Sequence, residues 1–260
     1  MCEESMSAHT QKAWLMSGRV FDSQSKTIAI LPVGSVERHG DHLPLGTDGI
    51  EAEAVALLVA DRIGAHVFPP IWYGSSLSLK RFSGTIDVEP QAFYSYVKSV
   101  IREILRNGYT LVLVVNGHGG NSYILREVAR EIASEYRDRA VLVVDWWRDV
   151  AQEIRASLFK SPGHAGEDET SVMMYLTPSN VDMSSARDYE TSVRIGITVF
   201  SSIIDEALYP EAVLGKATDA SPEKGKMLLE AVSDEISREV LKVLDLLPPR
   251  PSKNESNRFT

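Results

Sequence analysis

The chain has 260 residues, 43% of them hydrophobic and 24% charged, a composition typical of globular proteins. Its formal net charge of −9 and its lack of a Lys/Arg cluster argue against a nucleic-acid partner. No apolar window is long enough to predict a membrane span, and the acidic N-terminus does not resemble a signal peptide. The single cysteine, Cys2, excludes an intrachain disulfide and favours the cytoplasm.

The predicted elements alternate between strands and helices. A polar lead-in with a short helix near Gln11–Met16 is expected over residues 1–26, one domain over 27–247, and a disordered tail over 248–260. Apolar runs predict strands at 27–33, 65–71, 110–115 and 140–145. Helical periodicity and capping residues predict helices at 48–63, 90–107, 122–136, 149–159, 167–175 and from Pro222 onwards. Residues 179–220 are expected to be irregular, with short strands near 193–200.

Such alternation predicts an α/β fold: a single domain with a mainly parallel sheet that helices cover on both faces. Right-handed crossovers place the strand-to-helix loops at one edge of the sheet. Ligands of such folds bind at the carboxyl ends of the strands. We therefore expect polar residues that follow different strands to lie close together.

The first polar cluster follows the first predicted strand. Within twelve residues the chain places Glu37, His39, Asp41, His42 and Asp48. Glu37 and His39 are two positions apart, so in an extended segment their side chains face the same side. Carboxylates and imidazoles are ligands of zinc and other divalent metals. The alternative is a polar loop between a strand and a helix.

Two further clusters each contain a histidine. Asn116-Gly-His-Gly-Gly-Asn121 follows a buried strand, and its glycines permit close approach of a ligand. It matches neither common phosphate-binding pattern, although a phosphate turn is the alternative. His164-Ala-Gly-Glu-Asp-Glu-Thr-Ser171 places Glu169 in the first turn of a helix. There, acids can also act only as helix caps.

Together these clusters predict a metal-dependent hydrolase. The predicted ligands are Glu37, His39, Asp48, His118 and Glu169. A single catalytic zinc needs three protein ligands, whereas five with a bridging aspartate suit two ions about 3.5–4 Å apart. Zinc, manganese and iron all accept these donors. The chain has no Gly-x-Ser-x-Gly motif, which argues against a serine nucleophile. The residues predicted to contact substrate are Trp147, Tyr73, Gly119 and Gly120.

The three clusters resemble, in order and separation, the signature blocks of the creatininase (creatinine amidohydrolase) family, over roughly residues 25–245. The resemblance implies a creatininase-like three-layer sandwich, two divalent metal ions and an oligomer, often a hexamer. It implies that Glu37 and His118 bind one metal, His39 binds the other, and Asp48 bridges them. By the same resemblance, His164 assists the leaving nitrogen and Trp147 stacks on the substrate.

Two positions depart from creatininase itself. Its second metal is bound by a glutamate at the position of Gly120, so we expect Glu169, or water, to complete that site here. Its second substrate tryptophan corresponds to Lys160, which argues against creatinine as the substrate. Family members with a Gly-Gly second block include a deformylase of riboflavin and deazaflavin biosynthesis and a peptidase acting on a redox-cofactor precursor. Both activities remain alternatives.

The predicted reaction is cleavage of a C–N amide bond, in a cyclic amide or formamide, by metal-bound hydroxide. The predicted catalytic residues are His164 and Glu169. His164 would protonate the departing nitrogen, the usual role of a histidine whose pKa lies near the working pH. The alternatives from other classes are a metal- or phosphate-binding protein that uses the Gly-Gly-Asn turn as an anion site, and an assembly protein with a decayed metal site.

Overall fold

The protein is described here from a computed structural model that covers residues 11–193, 199 and 201–248. In these residues the strands are β1 Ile28–Val33, β2 His66–Val67, β3 Leu111–Asn116, β4 Ala140–Asp145, β5 Asp188–Tyr189 and β6 Gly215–Lys216. The α-helices are α1 Gly18–Ser23, α2 Thr47–Ile63, α3 Pro90–Arg106, α4 Ser122–Glu135, α5 Gln152–Leu158, α6 Glu167–Leu176, α7 Ser202–Leu208 and α8 Pro222–Leu246. Single 3-10 turns lie at Ala13–Leu15, Leu77–Leu79, Gly119–Asn121, Pro178–Asn180, Met183–Ser185 and Ala217–Asp219.

The central sheet is parallel, with the strand order β2-β1-β3-β4. Every residue of β1 and β3 is buried, which explains why both strands are almost continuously apolar in sequence. A separate antiparallel pair joins β5 to β6. The predicted mainly parallel sheet is confirmed.

Helices cover both faces of this sheet and form one apolar core on each. Val55 of α2 and Leu229 of α8 belong to the core on one face. Phe93 of α3 and Leu125 of α4 belong to the core on the other. The predicted three-layer α/β architecture is therefore confirmed.

The carboxyl ends of three strands lie side by side. Val33 of β1 is in register with Asn116 of β3, which is in register with Asp145 of β4. The loops after these strands thus leave the sheet from one edge. Helices α2 and α6 begin close to the same edge, because the candidate ligands at their first turns contact those in the loops.

Several predicted boundaries differ from the structure. Strand β2 has only two residues, because Pro69 and Pro70 cannot continue its hydrogen bonding. The helix predicted from Asp149 begins three residues later, since Ala151 has a φ of 54°. Helix α7 lies in the segment expected to be irregular. The strands predicted near 193–200 fall largely outside the described residues, as do Cys2 and the predicted tail beyond residue 248.

The lead-in is packed onto the domain over part of its length. Lys12 forms a bridge with Val67, and Phe21 packs against the core between the sheet, α3 and α4. The domain bounds of 27–247 stay a prediction. Among the described residues, no helix is both long enough and apolar enough to cross a membrane.

Candidate active site

The predicted ligands come together at the carboxyl edge of the sheet. Glu37 and His39 lie in the loop after β1, and Asp48 lies in the first turn of α2. His118 follows β3, and Glu169 lies in the first turn of α6. Each side chain is buried or nearly so, and their ligand atoms form three overlapping groups that can hold a metal ion.

One group is centred on His118. Its Nδ1 lies 3.2 Å from Oε1 of Glu37 and 3.1 Å from Oδ2 of Asp48. The donor atoms of these three residues all lie within 4.8 Å of one another. Two carboxylates and one imidazole form a set of three protein ligands, the number found at a catalytic zinc.

A second group is centred on His39 and shares Asp48 with the first. The Nε2 of His39 lies 3.0 Å from Oδ1 of Asp48 and 3.7 Å from Oε2 of Glu169. Asp48 therefore presents a different oxygen to each imidazole. A carboxylate in this position is able to bridge two ions.

His164 completes a third group with Glu37 and His39. Its Nδ1 lies 3.8 Å from Oε1 of Glu37. Its ring lies against the ring of His39, with 4.2 Å between the centroids. His164 is therefore beside both halves of the site.

Each of the three imidazoles is oriented by a backbone carbonyl. His39 Nδ1 donates to the Glu37 carbonyl over 3.1 Å, His118 Nε2 to the Ser75 carbonyl over 2.9 Å, and His164 Nε2 to the Arg38 carbonyl over 2.9 Å. A carbonyl oxygen only accepts, so the contacting ring nitrogen carries the hydrogen. The other nitrogen of each ring faces carboxylates, the arrangement typical of metal-binding histidines.

Among the residues that the structure describes, some buried polar atoms of the site have no suitable hydrogen-bond partner. Glu37 Oε2, His39 Nε2 and Asp48 Oδ2 are all in this state, although groups of opposite charge lie close by. Unpaired buried polar atoms are costly and rare. Divalent ions would satisfy these atoms, so the residues present fit a metal centre.

The electrostatics show how strongly the site favours positive charge. Burial alone would lower the pKa of His39, but Asp48, Glu169 and Glu37 raise it to about 10. Burial also opposes the charge on His118, yet Glu37 and Asp48 hold its pKa well above the usual value. In return, His39 and His118 hold the pKa of Asp48 below its usual value in spite of burial. The two imidazoles thus hold protons at the positions that two cations would take.

Two acids near the centre behave differently. Burial raises the pKa of Glu169 to about 8, and burial together with Glu169 and Asp48 raises the pKa of Glu51 well above its usual value. Glu51 is fully buried, and neither of its carboxylate oxygens has a hydrogen-bond partner among the residues that the structure describes. Glu51 was not predicted from the sequence, because a single acid on the apolar face of a helix does not by itself indicate a site.

The near-neutral pKa expected for His164 is wrong. Burial, followed by the positive charge of His39, lowers the pKa of His164 to about 4. At neutral pH this imidazole is therefore uncharged and accepts a proton at Nδ1 before it can donate one.

Two residues of the first cluster do not join the site. Asp41 is exposed and pairs with Arg38. His42 is buried with its Nε2 2.9 Å from Thr170 Oγ1, and burial lowers its pKa to about 4. Outside that cluster, His66 pairs through its Nδ1 with the Tyr109 hydroxyl.

The predicted substrate contacts are only partly gathered around the site. Trp146 is buried in the core, whereas Trp147 is half-buried, and a Cβ on Gly119 would lie 4.0 Å from its ring. Gly119 and Gly120 are exposed next to His118. Tyr73 is 55% exposed, and no contact of its side chain with the site residues is observed among the described residues.

Sequence reasoning also missed Tyr209, which follows α7. Its ring packs edge-on against His164 with 5.7 Å between centroids. Burial raises the pKa of its hydroxyl, and Asp205, Glu169 and Glu37 raise it further. Arg81 donates hydrogen bonds to the Asp205 and Tyr209 carbonyls and so holds this segment. Tyr209 lies in a region without a motif, and no sequence signal pointed to it.

The α/β fold and the carboxylate–histidine centre at its strand ends define an enzyme of the metal-dependent hydrolase class. A family model described as Creatininase: Creatinine amidohydrolase matches residues 16–240. The chain belongs to the creatininase family, and the amidohydrolase class expected from the motifs is confirmed.

Several relatives are similar over most of the chain. The creatinine amidohydrolase of Pseudomonas putida is 32% identical over 78% of this chain and 84% of its own. The mycofactocin precursor peptide peptidase of Mycobacterium ulcerans is 33% identical over 80% and 83%. The 2-amino-5-formylamino-6-ribosylaminopyrimidin-4(3H)-one 5'-monophosphate deformylase of Methanosphaera stadtmanae is 26% identical over 92% and 100%.

Solved structures show the same fold. One named "Creatininase Mn" superposes with a TM-score of 0.81 at 27% identity and covers 92% of this chain and 99% of its own. A creatininase mutant named as "Zn-Zn type" gives a TM-score of 0.73 at 29% identity over 86% and 92%.

Proposed function

We propose that this protein hydrolyses a C–N amide bond of a small molecule, using two divalent ions. Glu37, Asp48 and His118 would hold one ion, and His39, Asp48 and Glu169 the other. The observation that carries the proposal is that the two oxygens of Asp48 face different imidazoles, at 3.0 Å and 3.1 Å. Zinc or manganese is the first choice, because similar structures are named for these metals; iron suits the same donors.

The second ion would take Glu169 in place of a glutamate at position 120. A Cβ on Gly120 would lie 2.0 Å from the Ser75 carbonyl oxygen, so the backbone excludes a longer side chain there. Glu169 approaches His39 from the first turn of α6, with its Oε2 3.7 Å from His39 Nε2. The same oxygen also accepts from the Ala165 N–H at 2.6 Å. That hydrogen bond fixes the carboxylate toward the site.

When bound, such ions lower the pKa of water and polarise a carbonyl group. His164 would move the proton. Because its Nε2–H is held by the Arg38 carbonyl, only Nδ1 is available, and its lowered pKa leaves that nitrogen unprotonated at neutral pH. His164 would therefore take a proton from the attacking water at Nδ1 and deliver it to the leaving nitrogen.

The substrate would enter beside the exposed glycines. Gly119 leaves space next to His118, because a Cβ there would lie 4.0 Å from the Trp147 ring, and Trp147 can stack on a planar group at this position. The relatives named above act on a cyclic amide, a formamide and a peptide, and the site chemistry suits all three bonds. We favour cyclic amides and formamides other than creatinine, because Lys160 replaces the second tryptophan expected for creatinine.

The anion-binding alternative is less well supported. Glu37 and Asp48 place two carboxylates against His118, which directly precedes the Gly-Gly-Asn turn. Their negative charge would repel a phosphate, whereas it attracts a cation.

The test is metal content followed by turnover. Protein purified without chelator should contain about two zinc, manganese or iron ions per chain by elemental mass spectrometry. It should also hydrolyse some member of a panel of creatinine, N-formylated aromatic amines and short peptides, and lose that activity on chelation. Absence of bound metal after reloading with excess zinc or manganese would overturn the proposal.

We also propose a homo-oligomer, as the family resemblance implies, and a cytoplasmic location, as the single cysteine favours. Large apolar side chains at Trp72, Tyr73 and Leu77 are exposed on one loop, as an interface between copies requires. Light scattering coupled to gel filtration should give a mass that is a multiple of the 28.7 kDa chain. A monomer at micromolar concentration would contradict it.

A further inference from the structure

His118 is held by a peptide group from a loop that contributes no ligand. The Ser75 carbonyl accepts from Nε2 of His118 at 2.9 Å. The Ser75 N–H donates to Oδ1 of Asn121 at 3.0 Å. Both backbone polar groups of Ser75 are thus used, the carbonyl by the candidate ligand and the N–H by Asn121.

Asn121 in turn connects three segments. Its side chain is fully buried, its Oδ1 accepts from Ser75, and its Nδ2 donates to the Gly34 carbonyl at 2.9 Å. Gly34 directly follows β1 and begins the loop that carries Glu37. Because one partner is an N–H and the other a carbonyl, only a side chain with both an acceptor and a donor satisfies both contacts.

The packing around this arrangement has no room for other side chains. A Cβ on Gly74 would lie 2.5 Å from Asn121 Oδ1 and 2.6 Å from the Gly34 carbonyl oxygen. A Cβ on Gly120 would lie 2.0 Å from the Ser75 carbonyl oxygen and 2.6 Å from His118 Nε2. Glycine at both positions lets the two loops approach closely enough for the Ser75 peptide to reach the imidazole.

We infer that Asn121 is a positioning residue that, through the Ser75 peptide, makes Nδ1 of His118 the metal-binding nitrogen. With its Nε2–H held by the Ser75 carbonyl, the ring presents Nδ1 to Glu37 and Asp48. Without Asn121 the Ser75 N–H loses its side-chain partner, and the loop keeps its contacts with Asp87 and Val88. The carbonyl that fixes the tautomer of the His118 ring is then held less firmly. This inference rests on the proposed metal site.

Asn121→Asp tests it with minimal change of shape. The aspartate has no hydrogen to donate to the Gly34 carbonyl. The repulsion between the two oxygens should displace the side chain from its place beside the Ser75 N–H. Competition with a chromophoric chelator should show that the zinc site containing His118 loses affinity by about 10- to 100-fold. The cobalt-substituted protein should also show an altered visible spectrum at that site.

Ser75→Ala is the matched control, because the inferred contacts use only the Ser75 backbone. It should bind zinc and cobalt as the unmodified protein does. Thermal unfolding of all the metal-free proteins separates weakened metal binding from misfolding. Asn121→Ser keeps one donor and one acceptor on a shorter side chain. It should therefore retain more metal affinity than Asn121→Asp.

Two results are distinguishable. If the unmodified protein binds no zinc, the proposed function fails. If it binds two ions and Asn121→Asp has unchanged affinity and an unchanged cobalt spectrum, only the positioning role of Asn121 is overturned. A Ser75→Ala protein as weak as Asn121→Asp would also overturn it.

Discussion

Asp48 is the side chain on which both halves of the candidate metal site depend. It is 2% exposed and lies at the start of α2, where the helix N-terminus favours negative charge. His39 and His118 approach it from separate loops. Removal of its charge therefore affects both halves, whereas loss of Glu169 would affect one.

Asp48→Asn should lower metal content from about two ions per chain to one or none, and reduce turnover by at least about 100-fold, because one shared ligand is lost. Asp41→Asn provides the control, since Asp41 belongs to the same cluster but is exposed and paired with Arg38. Elemental analysis of both proteins decides. Two tightly bound ions in Asp48→Asn would show that the aspartate does not bridge.

The pKa of His39 gives metal binding a defined pH dependence. Its pKa of about 10 means that an ion must displace a proton from Nε2 throughout the neutral range. Affinity should therefore rise with pH, by about tenfold per unit for each displaced proton. Titrations with zinc in a chelator buffer between pH 6 and 8 measure the slope, and a flat profile would contradict it.

The same pKa predicts the opposite trend for stability without metal. The folded-state pKa lies above the unfolded value of 6.5, so the stabilising ion pairs of His39 are fully present below pH 6.5. They are lost as pH rises toward 10. In urea unfolding of chelated protein, the contribution of these ion pairs to the free energy of unfolding should fall as pH rises over this window. His39→Gln should remove this pH dependence.

At the scale of elements, the site depends on close contact between the end of β1 and the start of α2. A Cβ on Gly34 would lie 2.4 Å from both Cα and N of Gly49. Gly49 in turn lies under Trp72, with 2.5 Å from a built Cβ to the ring. Two glycines thus allow the strand, the helix and the aromatic loop to meet where Glu37 and Asp48 are placed.

Gly34→Ala should destabilise the protein by about 1–3 kcal/mol, because the clash is with backbone rather than with a flexible side chain. Gly18→Ala is the comparison, as nothing lies within 4 Å of a Cβ there. It should be neutral or slightly stabilising. Urea unfolding of both proteins measures the difference, and equal stability would mean that β1 and α2 separate easily.

At the scale of the molecule, bound ions would connect segments that the sheet alone only places side by side. The loops after β1 and β3, α2 and α6 all contribute ligands. Ligands that bind only the folded state stabilise it, by about 2.7 kcal/mol at a free concentration 100 times the Kd. Chelation should therefore lower the Tm, and zinc or manganese should restore it.

The Asp48→Asn protein provides the control for this experiment. Its Tm should respond little to chelator or metal, because its ion binding is already impaired. An unmodified protein whose Tm is unaffected by chelation, despite measured loss of the ions, would show that the ions do not bind the folded state in preference to the unfolded chain.

Much of this architecture could be predicted because its signals are local. Residues 111–115 are all apolar because both faces of their strand are covered, and Pro90 and Ser221-Pro222 lie at helix starts as expected. Helix α7 was missed, since its seven residues have no buried side chain to produce an apolar period. The α5 start was misplaced by the positive φ of Ala151, an unusual conformation for alanine.

The sequence by itself determined the parallel α/β fold and the kinds of side chain at its strand ends. Spacing and the family resemblance also distinguished Glu37 and His39, which join the centre, from Asp41 and His42, which lie in the same loop and do not. The tertiary structure alone decided which Asp48 oxygen faces which histidine and which nitrogen of His118 is available. It also brought Ser75, Asn121 and Tyr209 to the site. The reason is that these features depend on contacts between segments far apart in the chain, and local propensity carries no information about such contacts.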